Sequence, residues 1–306
     1  MFNSICSRRG LIAGLVCLTL SIVACGSGDS DSSGDDMQAA RDNVEAMARE
    51  HVNDTTDPSP AAQVDPQSTV ISERLPYAEV DDDLVYGYFV FPADMVKPRP
   101  AIVVIHEWWG LNDNIRATAD RLAGEGYIVL AVDLFGGKTA DDPESARQLM
   151  LSVVEDPDAA SENIRQAYEF LNVTAGAPRV GSVGWCFGGG WSLNAAMLLP
   201  DKLDAVVIYY GQVTDDEDKL WPIDAPILGL FAAEDRGITV DSVQSFEAAL
   251  KRLRKNHEIH IYPDVGHAFA NPTGNRYNAE AAEDAWNRTL EFLGQNLVSE
   301  EGDSDS

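Results

Sequence analysis

One cysteine of this sequence stands where a nucleophile could be presented. Residues 180–191 read VGSVGWCFGGGW, so Cys186 follows an apolar run and lies between Gly184 and Gly188. This is the glycine–x–nucleophile–x–glycine pattern, in which a strand turns sharply into a helix and small residues relieve the crowding. Free N–H groups at the start of that helix favour a thiolate. The alternative is a structural thiol in a tight turn, because free cysteine also packs as a small hydrophobe.

An acidic pair and a histidine follow two later apolar runs. Glu234 and Asp235 come after PILGLFAA, and Asp264 and His267 come after HEIHIYP. A histidine can take the thiol proton and return it to a leaving group, while a carboxylate fixes the histidine tautomer and stabilises the imidazolium. We predict a triad of Cys186, His267 and Asp235, with Glu234 as the less favoured acid. Each residue alone is more often structural or solvated, so the prediction depends on their order.

Three other histidines do not form a metal site. His257 and His260 are three apart in a predicted strand, so they point to opposite faces, and His51 lies in a predicted tether. A zinc ion would therefore lack a second and a third ligand. The sequence predicts neither a metal nor a cofactor.

These residues need a sheet that brings strand ends together. A strand-like segment at 86–92 belongs to an opening hairpin, and six apolar runs follow at 101–107, 127–133, 180–185, 205–211, 226–233 and 257–263. Helical patterns separate the runs, which are continuous as in strands covered on both faces. We predict a single α/β domain with a mostly parallel sheet and helices on both faces. The order nucleophile, acid, histidine is that of the α/β-hydrolase fold, whose sites lie at the carboxyl ends of strands.

The N-terminus has the pattern of an export signal. Arg8 and Arg9 precede an uncharged apolar run at 11–24, which is too short to span a membrane and is typical of a signal peptide. The run ends in SIVAC, which resembles the lipobox of bacterial lipoproteins and implies lipid attachment at Cys25. An ordinary secretory signal with a chance cysteine is the alternative, and SRRGLI also resembles a twin-arginine export motif. We expect an exported protein anchored by its lipid, at a periplasmic face or the cell surface.

The predicted domain organisation has four parts. Residues 1–24 are the signal peptide, 25–70 an acidic tether rich in Ser, Gly and Pro, 71–297 the catalytic domain, and 298–306 an acidic disordered tail. A short helix over 37–51 is an option within the tether.

Net charge limits the partners. Asp and Glu total 50 against 22 Lys and Arg, giving a net charge of −28. Such a chain is a poor ligand for nucleic acid or anionic lipid. We therefore expect a small-molecule substrate, no nucleic acid, membrane contact only through the lipid, and a monomer.

Several motifs together resemble the dienelactone hydrolase family of α/β-hydrolases, over roughly residues 75–296. They are IHEWWGLND at the end of the first parallel strand, VDLFGG, the cysteine elbow VGWCFGGG, AAED and GHAF. The resemblance implies hydrolysis of an ester or lactone through a thioester acyl-enzyme on Cys186. It also implies an oxyanion hole formed by the backbone N–H groups of Trp108 and Phe187. Glu107 would be a gate whose carboxylate contacts the resting nucleophile and takes its proton when substrate arrives.

The sequence departs from the family pattern where a substrate carboxylate would bind. The two arginines of the family are replaced here by the pair Gly137–Lys138 and by Asn271. Lys138 could substitute as a point charge, and Arg236 or Arg276 could reach the site. A less cationic pocket favours a neutral ester or lactone, and the candidate pocket residues are Trp109, Phe135, Lys138 and Tyr210, with Trp108 and Phe187.

The leading prediction is a hydrolase of a small ester or lactone. Two alternatives stay open at this point. One is a carboxylesterase or thioesterase with an unrelated substrate, and the other is a non-catalytic ligand-binding lipoprotein of the same fold.

Overall fold

The computed structural model describes residues 32–56 and 64–298, with backbone alone for 32–36. The predicted signal peptide, the lipobox cysteine Cys25 and nearly all of the predicted acidic tail lie outside these residues. Within the described ranges, no helix combines the length and the apolar character needed to cross a membrane.

The core is an eight-stranded sheet in the order β1-β2-β4-β3-β5-β6-β7-β8. The strands β1 and β2 form an antiparallel hairpin, β2 pairs antiparallel with β4, and the remaining pairs are parallel. Their bounds are β1 Val70–Val80, β2 Asp83–Pro92, β3 Ala101–Ile105, β4 Ile128–Ala131, β5 Val180–Trp185, β6 Ala205–Tyr209, β7 Ile227–Ala232 and β8 His257–Tyr262.

The parallel strands are continuous in sequence because both of their faces are covered. Every residue of β3 to β7 is buried, whereas the edge strand β8 is only partly buried. This arrangement confirms the predicted α/β fold with a mostly parallel sheet, and the six predicted runs correspond to β3 to β8.

Eight helices accompany the sheet in the described residues. They are α1 Ser32–Glu50, α2 Asp113–Gly124, α3 Pro143–Glu155, α4 Pro157–Glu169, α5 Phe187–Leu198, α6 Glu217–Leu220, α7 Val240–Leu253 and α8 Ala279–Leu297, and a π-helical turn follows α4. Side-chain caps begin most of them: Asn112, Asp142 and Asp156 accept backbone N–H bonds at the starts of α2, α3 and α4. Helix α5 has no side-chain cap, so its first N–H groups are free to bind something else.

Part of the segment that was predicted as a tether is folded against the domain, which is the main difference between the structure and the sequence prediction. Helix α1 and the turn after it pack on the domain, with Val44 and His51 buried. Ion pairs join Arg147 to Glu45 at 2.6 Å and Arg276 to Asp54 at 3.2 Å. Within the predicted tether, residues 32–50 form the helix that the sequence left as an option. Acidic side chains that the sequence indicated as solvated, Glu45 and Asp54, instead meet arginines of the domain.

Candidate active site

The turn between β5 and α5 holds Cys186 in a strained backbone conformation. Its φ is 56°, a region that non-glycine residues rarely adopt. The flanking glycines are required because a Cβ on Gly184 would lie 1.9 Å from the carbonyl oxygen of Gly188, and a Cβ on Gly188 would lie 2.2 Å from that of Ile105. The predicted elbow is present, and both positions must be glycine because the backbone of α5 or β3 lies too close for any side chain.

The carboxyl ends of β7 and β8 bring Asp235 and His267 together. Nδ1 of His267 lies 2.7 Å from Oδ2 of Asp235, and the other carboxylate oxygen accepts N–H bonds from Gly237 and Ile238, each at 2.9 Å. Because a carboxylate only accepts, Nδ1 carries a proton in this pair. Glu234, the alternative acid, is exposed, so the geometry selects Asp235 as the partner of His267.

The electrostatics of the pair favour ionised forms. Burial would raise the pKa of Asp235, but the charge and hydrogen bond of His267 and the two N–H groups outweigh burial and lower that pKa. Burial would lower the pKa of His267, but the charges of a Cys186 thiolate and of Asp235 outweigh it and raise that pKa well above its ordinary value. The arrangement therefore stabilises the imidazolium that forms when His267 takes the proton of Cys186.

The second ring nitrogen of His267 has no hydrogen-bond partner in the described chain, although it is buried. The Cys186 sulfur instead lies 3.6 Å from the sulfur of Met47 in α1. A buried ring nitrogen without a partner is costly. Nε2 is therefore available to accept a proton from a group that enters beside Cys186.

Two backbone donors remain unused near the cysteine. Among the described residues no acceptor is recorded for the N–H groups of Phe187, the first residue of α5, or of Trp108, which follows β3. Both side chains are buried. Two free N–H groups on the loops that flank a nucleophile can bind a developing oxyanion.

Glu107 is fully enclosed beside the same residues. Tyr210 donates its hydroxyl to one carboxylate oxygen at 3.4 Å, and the Asn271 amide donates to the other at 2.5 Å. Burial raises the pKa of Glu107 to about 7, although the charge of His267 and the Tyr210 hydrogen bond lower it. No hydrogen bond joins Glu107 to Cys186 in the described chain, but both residues and His267 line one small cavity.

The structure adds a residue that sequence reasoning set aside. His51 is 2% exposed, and its ring centroid lies 4.6 Å from that of His267 and 5.4 Å from that of Trp108. Its Nδ1 lies 2.5 Å from Asp54. The sequence separates His51 from the domain by a spacer-like segment, so no pattern pointed to this contact.

Of the candidate pocket residues Trp109, Phe135 and Tyr210, only Trp109 lines the small cavity beside Cys186. Phe135 packs on the rings of His106 and Phe187, and Tyr210 lies behind Glu107 and His267. Phe135 and Tyr210 are both buried and pack beneath the site, and neither lines the cavities next to Cys186.

Lys138 does not reach the site. It is exposed and lines a separate cleft with Arg74 and Asp141. The Asp133 carboxylate accepts the N–H groups of Phe135 and Gly137, which folds this loop outward. The prediction of Lys138 as a pocket residue is therefore wrong.

The two arginines considered for a substrate carboxylate are placed differently. Arg276 borders the small cavity but pairs with Glu50 and Asp54, and exposed Arg236 donates its backbone N–H to Glu50. Within the described ranges no cluster of three His, Cys, Asp or Glu side chains could hold a metal ion.

Comparisons with known proteins agree on one family. A family model described as the dienelactone hydrolase family matches residues 85–297. A protein of Saccharolobus solfataricus named as a carboxymethylenebutenolidase is 35% identical over 240 residues, covering 66% of this chain and 92% of the relative. An Escherichia coli protein of the same name is 32% identical over 231 residues, covering 70% of this chain and 83% of the relative.

Solved structures show the same fold. A Klebsiella pneumoniae crystal structure described as a dienelactone hydrolase aligns with a TM-score of 0.68 and 26% identity, over 74% of this chain and 100% of that one. A structure described as a dienelactone hydrolase-like promiscuous phosphotriesterase from metagenomic libraries aligns with a TM-score of 0.70 and 21% identity, over 76% and 100% of the two chains. The second likeness bears on the fold alone.

Proposed function

The chain belongs to the dienelactone hydrolase family, and from this premise we propose that it hydrolyses a small ester or lactone through Cys186, His267 and Asp235. The observation that carries the proposal is the buried pair of His267 and Asp235 at 2.7 Å, at strand ends next to a cysteine held at φ 56°. The relatives named carboxymethylenebutenolidase support chemistry at an ester bond.

Acylation begins when Nε2 of His267 takes the thiol proton of Cys186. The thiolate sulfur then forms a bond to the ester carbonyl carbon, and the π electrons move to the carbonyl oxygen, which Trp108 N–H and Phe187 N–H bind. When the carbon–oxygen double bond re-forms, the ester C–O bond breaks. His267 gives its proton to the departing alkoxide, which leaves as an alcohol, and a thioester remains on Cys186.

Deacylation repeats the sequence with water. His267 takes a proton from the water as the hydroxide oxygen bonds to the thioester carbon. The C–S bond then breaks, the proton returns to sulfur, and a carboxylic acid is released. Asp235 keeps the His267 proton on Nδ1 in both steps, so that Nε2 faces the reacting atoms.

We assign Glu107 the role of a gate: its carboxylate takes the Cys186 thiol proton only when substrate arrives and passes it to Nε2 of His267, so that the resting thiol stays unreactive. Support comes from its burial in the cavity shared with Cys186 and His267, and from a pKa raised by burial to about 7. Such a carboxyl can gain and lose a proton near neutral pH. Rapid alkylation of substrate-free protein by iodoacetamide, at the rate of an ordinary thiol, would exclude this role.

The charge around the site favours a neutral substrate. Asn271 stands in the place of a family arginine and donates to Glu107, while Arg276 is occupied by Glu50 and Asp54. A carboxylate on the substrate would have to break those ion pairs to be neutralised.

The test is hydrolysis of p-nitrophenyl acetate by the purified protein and by three variants. We expect Cys186→Ala and His267→Ala to lower kcat/KM by about a thousandfold or more. His260→Ala is the matched control, because His260 lies on the edge strand β8 away from the site, and it should keep wild-type activity. Peptide mass mapping of a rapidly quenched reaction should find the acyl group on Cys186. Equal activity in wild type and Cys186→Ala would refute the triad.

We also propose export and lipid attachment at Cys25, on the support of the sequence alone. Expression of the full chain in a bacterium fed with labelled palmitate should label the protein. Cys25→Ser should abolish the label, and a Cys25→Ser protein that keeps it would refute the anchor.

A further inference from the structure

A cavity of about 570 Å³ extends from Cys186 and His267 between α1, α3, α4 and α5. That volume is ordinary for a small-molecule site. Helix α1 forms one wall through Met37, Ala40, Val44 and Met47, and this helix precedes the range that the family model matches.

The lining is apolar and rich in methionine. Four of the six methionines of the chain border the cavity, namely Met37, Met47, Met150 and Met197, together with Val44, Val153, Val154, Leu198 and Ile238. Methionine side chains adapt to irregular apolar ligands. None of the described lining residues is Lys or Arg, and Glu50 is the one carboxylate among them. An apolar ligand fits this lining, and an anionic one does not.

The direction of the cavity follows from α1. Met47 contacts the Cys186 sulfur, whereas Met37, 42% exposed, lies about 15 Å away along the helix at the rise of an α-helix. The leaving group must lie beside His267, which returns its proton, at the end where Glu50 and His51 also lie. The acyl part of a substrate is then directed the other way, along α1 and α5 past Val44.

We propose that α1 and α5 enclose an acyl-chain site, so that the preferred substrates are esters of neutral, apolar carboxylic acids of medium chain length. This inference rests on the proposed esterase function and names its substrate class. The Val44 side chain, in the cavity wall formed by α1, limits the length of the acyl chain that fits. The Met47 side chain controls access of the substrate to the Cys186 thiol.

Met47 has to move for any substrate to react. Its sulfur lies 3.6 Å from the Cys186 sulfur, which is the space that an ester carbonyl must enter. Methionine has three flexible bonds, so this side chain can rotate while α1 stays in place. The helix itself is held by the ion pairs Arg147–Glu45 and Arg41–Glu155 along its middle and by Arg276 at its C-terminal end.

The test compares chain lengths in wild type and in a filled cavity. We expect wild-type kcat/KM for p-nitrophenyl octanoate to exceed that for the acetate by about tenfold or more, and that for mono-p-nitrophenyl succinate to fall below both. Val44→Phe should lower the octanoate-to-acetate ratio by at least about tenfold, because the larger ring occupies the path of the chain. Val52→Phe is the matched control: the same change at a position 62% exposed outside the cavity lining should keep the ratio.

A second variant separates selectivity from loss of folding. Met47→Ala enlarges the cavity beside Cys186 and should raise kcat/KM for the branched p-nitrophenyl trimethylacetate relative to the acetate by about threefold or more. Circular dichroism of all variants at the assay temperature checks that they are folded.

The outcomes distinguish the two proposals. Cys186-dependent acetate hydrolysis without a preference for octanoate, or a folded Val44→Phe protein with an unchanged ratio, overturns the acyl-chain site and leaves the esterase function intact. Absence of turnover and of acyl-Cys186 with every ester overturns the esterase function itself.

Discussion

At the scale of single residues, the site is a set of buried groups whose ionisation depends on the partners that each one has. Asp235, His267 and Glu107 are all within a few per cent of complete burial. Asp235 and His267 are paired at 2.7 Å, whereas Glu107 has no basic hydrogen-bond partner among the described residues and accepts hydrogen bonds from Tyr210 and Asn271. The folded chain therefore keeps the proton of the Glu107 carboxyl to a higher pH than the unfolded chain does.

Glu107→Gln should change the pH dependence of stability. The folded pKa of about 7 lies above the ordinary 4.5, so the folded chain keeps a proton that the unfolded chain loses between these values. The contribution of Glu107 to the free energy of unfolding of the wild type is fully present below pH 4.5. It falls by at most about 3 kcal/mol as the pH rises to about 7. Glutamine carries no charge, so the free energy of unfolding of the variant relative to wild type should rise by about 1–3 kcal/mol between pH 5 and pH 8.

Urea unfolding at the two pH values measures this difference. Glu291→Gln, at an exposed position of α8, serves as the control and should show the same offset at both. An offset for Glu107→Gln that stays constant with pH would mean that the carboxyl ionises normally in the fold.

The residue scale also shows what a sequence can specify. Cys186, Asp235 and His267 were predictable because each lies just past the carboxyl end of a strand, and the ends of parallel strands meet at one edge of the sheet. The roles of Phe135, Tyr210 and Lys138 were not, because the direction of a loop side chain depends on contacts such as the Asp133 carboxylate with the Gly137 N–H. Those contacts leave no periodic signal in the sequence.

At the scale of elements, α1 is the part that the sequence left undefined. Its segment has few buried apolar side chains, with Val44 the fully buried one, and its acidic residues resemble those of a solvated spacer. The packing depends on distant arginines, Arg147 and Arg276, which no local pattern connects to the helix. The strands, in contrast, were recognisable from length and continuous hydrophobicity alone.

Arg276→Ala should loosen the end of α1. The Arg276 guanidinium donates to the Glu50 carbonyl at 2.6 Å and pairs with the carboxylates of Glu50 and Asp54. A cation that binds the last carbonyls of a helix stabilises its C-terminus. We expect hydrogen-exchange protection of amides 43–50 to fall about tenfold, while β5 keeps its protection.

The control for this measurement is Arg252→Ala, which removes an exposed pair with Glu217 and does not touch α1. It should leave protection of α1 unchanged. Equal loss of protection in α1 and β5 of Arg276→Ala would show that the helix unfolds with the whole domain and not separately.

At the scale of the whole molecule, the dominant feature is the net charge of −28. Repulsion among acidic groups opposes the compact state, and salt screens it over about 10 Å at 0.1 M ionic strength. We expect the Tm to rise by several degrees between about 0.1 and 1 M NaCl. Choline chloride at equal ionic strength is the control for specific sodium binding and should give the same rise. A falling Tm would mean that ion pairs such as those of Arg276 contribute more than the overall repulsion.

Helix α1 also limits the distance between the site and any anchor at Cys25. Six residues separate Cys25 from Ser32, the first residue of the helix, and the seven Cα steps between the two reach at most about 25 Å in an extended chain. The exposed Met37 follows within two helical turns. An enzyme lipidated at Cys25 would therefore hold the outer end of its apolar cavity within reach of the bilayer headgroups. It would meet substrates dissolved in that membrane, at the concentration set by partitioning into lipid and not by solubility in water.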